Sequence, residues 1–90
     1  MATDLTLLGE EPASALILRS TRRQPALLVQ GDTLSIAVRA AEDLVAELDS
    51  GNLEDARLSA REVAETLRAW LTSYERMMLA SGRDLPYFTA

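Results

Sequence analysis

The stretch Gly31-Asp32-Thr33-Leu34-Ser35 stands where an extended segment gives way to a helical one. The first N–H groups of a helix have no partner inside it, and the helix dipole adds partial positive charge there. Gly31, Asp32, Thr33 and Ser35 are therefore a candidate site for an anion or small ligand. The stretch has neither the glycine-rich fingerprint nor the lysine of a phosphate loop, and Asp32 would repel a phosphate. The favoured reading is a turn with Asp32 or Thr33 as N-cap. Further along, Glu62 and Glu65 stand three apart beside Arg61 and Arg68. Carboxylates at that spacing share a helix face and can move protons or hold a cation. They also read as a solvated face with Arg61–Glu65 and Glu65–Arg68 ion pairs.

The rest of the composition withholds most chemistry. Of the 90 residues none is histidine or cysteine, which removes the commonest transition-metal ligands and most nucleophile–base pairs. The expectation is no catalytic residue, no metal, no cofactor and no enzyme activity. The charge is −5, from 14 acidic and 9 basic residues, every basic one an arginine. An acidic chain with dispersed arginines repels phosphate backbones, so no nucleic-acid partner is expected. Only Arg19, Arg22 and Arg23 cluster. No apolar run approaches the ~20 residues of a membrane span, and the first residues lack the basic start of an export signal. A cytoplasmic chain with no membrane partner is expected.

Apolar chemistry is the richer signal. Trp70, Tyr74, Met77 and Met78 form an aromatic and thioether stripe, and Tyr87 and Phe88 make the C-terminal tail unusually apolar. Methionine-rich faces adapt to varied shapes, so these six residues are candidate partner contacts. The stripe also reads as core, and the tail as a clasp folded back on the same chain.

These residues need elements to position them. The spacing predicts an α+β domain: a short N-terminal antiparallel sheet of two or three strands, then an antiparallel αα-hairpin with a long second helix. Leu5-Thr6-Leu7-Leu8 is a weak strand ending at Gly9, with Glu10-Glu11-Pro12 as its breaker. Ala15-Leu16-Ile17-Leu18 and Ala26-Leu27-Leu28-Val29-Gln30 are stronger, joined by a polar loop that closes on Pro25. The single domain divides into a β region over residues 1–30, a first helix over 33–49, a second over 52–81 and a tail over 82–90. The first helix carries Leu34, Val38, Ala41, Val45 and Leu48 at helical spacing. Gly51 closes it and Asn52, with Asp55 three residues on, caps the next. That helix shows Leu53, Ala56, Ala60, Val63, Leu67, Trp70, Tyr74 and Met77 on one face, with Gly82 and Pro86 as its stop. The same spacing predicts Val63, Leu67 and Leu71 in the core. The second helix overhangs the first from about Trp70 to Met78, and the sheet or a second hairpin must cover that length.

Leu28-Val29-Gln30-Gly31-Asp32-Thr33-Leu34-Ser35, the hairpin with Gly51-Asn52-Leu53-Glu54, and Tyr74-Glu75 with Leu85-Pro86-Tyr87 resemble an uncharacterised family of bacterial proteins about 90 residues long. The Arg22-Arg23-Gln24-Pro25 loop is similar to that family's basic, proline-bearing loop. The resemblance implies a domain of unknown function and carries over no catalytic residue. The residues themselves favour a small non-enzymatic protein that binds another protein, as an inhibitor, immunity factor or accessory subunit, with homodimer and self-covered monomer both open. The alternative is a ligand-binding protein or enzyme built on the junction at residues 31–35.

Overall fold

A computed structural model of the chain describes residues 4–87. Three strands, β1 (Leu5–Glu11), β2 (Ser14–Arg19) and β3 (Ala26–Val29), are followed by two helices, α1 (Gly31–Asp49) and α2 (Leu53–Ala80). The sheet is antiparallel in the order β1-β2-β3. The chain forms two compact units: one from the described residues up to Val29 and from Trp70 on, the other from Gln30–Ala69. Helix α2 contributes its residues 53–69 to the second unit and 70–80 to the first.

In the first unit β1 runs beyond Gly9, where the sequence suggested an end. Leu7 pairs with Ile17 and Gly9 with Leu16, so one residue bulges between them and the ladder continues to Glu11↔Ser14. A bulge lets a strand absorb an extra residue without ending. β1 passes close to α2 at Gly9: an added Cβ would lie 3.3 Å from Cβ and Cγ of Met77, a tight approach that glycine relieves. Pro12 and Ala13 then make the two-residue turn, proline supplying the fixed φ of its first position. The core is Leu16, Tyr74, Met77 and Met78, with Leu8, Leu27 and Leu85 packed around it. The sheet thus covers the Tyr74, Met77 and Met78 face of α2. Tyr74 donates a hydrogen bond to the Pro25 carbonyl, 3.1 Å away, so its buried hydroxyl has a partner.

The second unit is a helical hairpin. Helix α1 begins at Gly31, two residues earlier than the sequence suggested, with Gln30 as its N-cap and no side-chain capping bond. Asp32 lies inside the first turn, where a carboxylate favours the positive end of the dipole. The reversal is built from hydrogen bonds that the sequence signals. Gly51 takes φ +79°, its N–H bonds to Leu48 O at 3.1 Å, and the Asn52 N–H reaches back to Glu47 O at 2.8 Å. That is a Schellman motif, which only a left-handed residue such as glycine closes without strain. Asn52 Oδ1 accepts from the Asp55 N–H at 3.1 Å. Because the Asn52 N–H is already used, Asp55 instead takes the Asn52 side-chain amide at 2.8 Å. The same motif recurs at Gly82, φ +77°, where the Arg83 N–H reaches Met78 O and ends α2.

Leu67 is 54% exposed, and Val63 and Leu71 are half-buried, so the expected core row is displaced. In the hairpin it is the small residues Ala40 and Ala56 that are buried, at 5% and 2%. Alanines bring helix backbones close and push the larger leucines and valines to the flank of the contact.

Candidate functional site

Two arrangements could carry function. The first is polar and belongs to the first unit. Glu11, at the end of β1, receives Arg76 in a fork: Nε to Oε2 at 2.7 Å and Nη2 to Oε1 at 2.8 Å. Ser73, one turn before Arg76 on α2 and only 7% exposed, donates its hydroxyl to Glu11 Oε1 at 2.5 Å. A hydroxyl has one proton, so the 2.7 Å contact between Ser14 and Ser73 has Ser14 as donor. These bonds hold the Glu11 carboxyl down to about 2, first through Arg76 and then through Ser73. Arg76 is raised in turn by Glu11.

This cluster fits a pin better than a catalyst. A carboxylate poised about five units below neutral pH is a weak base, and general bases work best near the operating pH. It cannot draw a proton from Ser73 at a useful rate. What it does is fasten the β1–β2 turn to α2 across sequence separations of 62 and 65 residues. Nothing in a local window of sequence signals it.

The second arrangement is apolar and belongs to the hairpin. Each helical residue advances about 100°. Thr33, Ala37, Ala40, Leu44 and Glu47 therefore share the side of α1 that meets α2, and all are buried or half-buried. Ser59 donates to Glu47 Oε1 at 2.5 Å and marks one margin of that contact. On the opposite margin stand Leu34 (47% exposed), Val38 (47%), Val45 (59%) and Leu48 (52%). The matching row of α2 is Leu53 (65%), Ala60, Ala64 and Leu67. A groove of about 400 Å³ runs between the rows, lined by Leu44, Leu48, Leu53, Ala56, Arg57 and Ala60. The two rows thus border one face. Beyond α1 its rim carries Glu42 and Asp49; beyond α2 it carries Arg57, Arg61 and Arg68 with Glu54 and Glu65 among them. All seven are exposed. The ion pair found among the described residues is Arg76–Glu11, so the expected Arg61–Glu65 and Glu65–Arg68 pairs do not close. Exposed pairs of that kind gain little over separate hydration.

The residues proposed from sequence sort as follows. Tyr74, Met77 and Met78 are 9%, 5% and 0% exposed in the core of the first unit, and burial raises the Tyr74 hydroxyl. Trp70 is half-buried. Tyr87, 38% exposed, stacks on Tyr74 with ring centroids 6.4 Å apart and donates to Glu75 at 3.0 Å, so the tail folds back as a clasp. Phe88 lies outside the described residues. At the N-terminus of α1, Asp32 Oδ1 accepts the Thr33 N–H at 2.8 Å, Ser35 donates to Asp32 O at 2.7 Å, and the Leu34 N–H goes to Gln30 O. The Thr33 N–H and the Ser35 hydroxyl are thus engaged within the turn, and Gly31 is exposed beside them. Arg19, Arg22 and Arg23 line a shallow hollow of about 480 Å³ with Gln24 and Ala26. Among the described residues, no group of three or more acidic side chains is placed to hold a metal ion. No described helix is long and apolar enough to cross a membrane.

A family described as "Family of unknown function (DUF6959)" matches residues 2–87. The chain belongs to that family. It matches no curated protein and no solved structure.

Proposed function

We propose that this chain acts by binding another protein, as an inhibitor, immunity factor or accessory subunit for a cytoplasmic partner, and that the open face of the α1–α2 hairpin is its contact surface. One observation carries the reading: Leu34, Val38, Val45, Leu48, Leu53 and Leu67 lie on one face of a two-helix unit and are all at least 47% exposed. Scattered exposed leucines are ordinary; a contiguous row on each side of a groove, rimmed by charge, is the pattern of an interaction site. Binding also suits the polar cluster, whose groups are spent on one another and leave no activated nucleophile. The test is affinity capture from the cells that carry the chain, comparing wild type with a Val45→Lys/Leu48→Lys variant that keeps its helical circular dichroism. The reading predicts discrete species held by wild type and lost by the variant. Identical capture by both contradicts it.

A further inference from the structure

We propose that the loop between β2 and β3 is a binding site for a small diphosphate-bearing molecule, held by Arg19, Arg22 and Arg23. The chain concentrates positive charge there. Residues 12–31 contain these three of the nine arginines and no acidic residue, so all 14 acidic side chains lie elsewhere in the sequence. All three arginines are exposed, and with Gln24 and Ala26 they line the hollow of about 480 Å³ at that end of the sheet. The ion pair among the described residues is Arg76–Glu11, so none of the three is neutralised within the described chain. Asp4 stands beside Leu5, the pairing partner of Arg19, yet it meets the loop through its backbone carbonyl, which accepts the Ser20 N–H at 2.9 Å. Three like charges gathered round one hollow repel one another, and an anion from outside offsets that repulsion.

The backbone holds this arrangement in place. The Arg22 N–H bonds to the Arg19 carbonyl at 3.0 Å and closes a turn at the start of the loop. At its far end Pro25 is buried, its carbonyl accepts the Tyr74 hydroxyl at 3.1 Å, and Ala26 enters the ladder opposite Ile17. A loop fixed at both ends loses less freedom on binding than a slack one. The residue type points to phosphoryl groups, because a guanidinium presents two parallel N–H donors to an oxyanion. Three such forks match the six terminal oxygens of a diphosphate, whereas a dicarboxylate offers four. The Gln24 amide adds a neutral donor. Size selects as well as charge. Charges beyond about 8 Å are largely screened at physiological salt, so a small anion experiences mainly the three arginines. A long polyanion such as DNA or RNA runs onto the acidic remainder of the chain.

Titration of the full chain with inorganic pyrophosphate at physiological salt, followed by NMR shifts of the backbone amides and arginine Nε–H groups, tests the site. Wild type should saturate with a dissociation constant below about 1 mM, and the shifts should concentrate on residues 19–24. The Arg22→Gln/Arg23→Gln variant, altered at two exposed loop positions, should keep the amide spectrum of the sheet and bind at least tenfold more weakly. Arg61→Gln, an exposed arginine of α2, should change the affinity less than twofold. Malonate, a dicarboxylate, should bind at least fivefold more weakly than pyrophosphate. No saturation by about 10 mM pyrophosphate overturns the proposal. So do shifts spread evenly over the arginines outside the loop, or an unchanged affinity in the double variant. Malonate binding as tightly as pyrophosphate overturns the diphosphate assignment.

Discussion

Met78 and Leu79 are neighbours in α2, yet the first is 0% and the second 64% exposed. Met78→Ala removes three heavy atoms from the centre of the Leu16, Tyr74, Met77 and Met78 core. At about 0.8 kcal/mol per buried methylene, the transfer loss is roughly 2 kcal/mol. The cavity adds to it, because Leu16 is held in register by β1 and β3 on either side and cannot move far to fill the gap. The expected total is about 3 kcal/mol, within the range of 2–5 seen for such truncations. Leu79→Ala leaves a partly hydrated side chain behind at an exposed position and should change stability by no more than about 0.5 kcal/mol. A chain of this size is stable by about 5–13 kcal/mol, so the first variant loses a large fraction and still folds. Urea unfolding followed by circular dichroism, at one fixed protein concentration, reads both. With a slope near 1 kcal/mol per molar, Met78→Ala should lower the midpoint by about 3 M. A loss under 1 kcal/mol for Met78→Ala, or an equal loss for Leu79→Ala, would show that α2 does not pack on the sheet by this face.

The Glu11–Arg76–Ser73 pin makes stability depend on acid. Its carboxyl is lower in the folded chain, about 2, than in the unfolded one, so its contribution is complete above pH ~4.5 and fades as pH falls toward 2. Thermal midpoints across that window should fall more steeply for wild type than for Glu11→Gln; parallel curves would refute the pin. Gly51→Ala forces a left-handed backbone on an L-residue and should cost about 1–2 kcal/mol in urea unfolding, whereas Gly31→Ala, with open space around it, should be neutral or stabilising. No DNA or RNA should be retained near physiological salt at a net charge of −5. A micromolar gel shift abolished by neutralising Arg19, Arg22 and Arg23 would contradict the charge argument.

What the sequence made legible is local. Both ends of α2 and the reversal at residues 50–52 could be read because glycine and asparagine carry their conformational role in their own side chains. The α+β order could be read because short apolar segments with breakers precede two long helical periods. The extension of β1 could not, since a glycine that ends a strand and one that permits a bulge look the same until Met77 is seen against it. The start of α1 was hidden for a related reason: Asp32 suits a cap and a first helical turn equally well. Leu67 was misplaced because periodicity gives a wide stripe without saying which margin of it the small residues Ala40 and Ala56 will claim. The partner stripe was half legible: its chemistry is evident from Trp70, Tyr74, Met77 and Met78, but the sheet that buries the last three is specified far away in sequence. The Glu11 cluster and the charged rims of the hairpin face were invisible, because each joins residues that share no window.

The open face of the hairpin is the claim on which the functional account rests, and site-specific photo-crosslinking in living cells tests it most directly. A photoreactive amino acid at Val45 sits on that face, while one at Ile36, 62% exposed on the other side of α1, is the internal control. The account predicts a discrete crosslinked species from Val45 and none from Ile36. No adduct from Val45, or the same adducts from both positions, would contradict it.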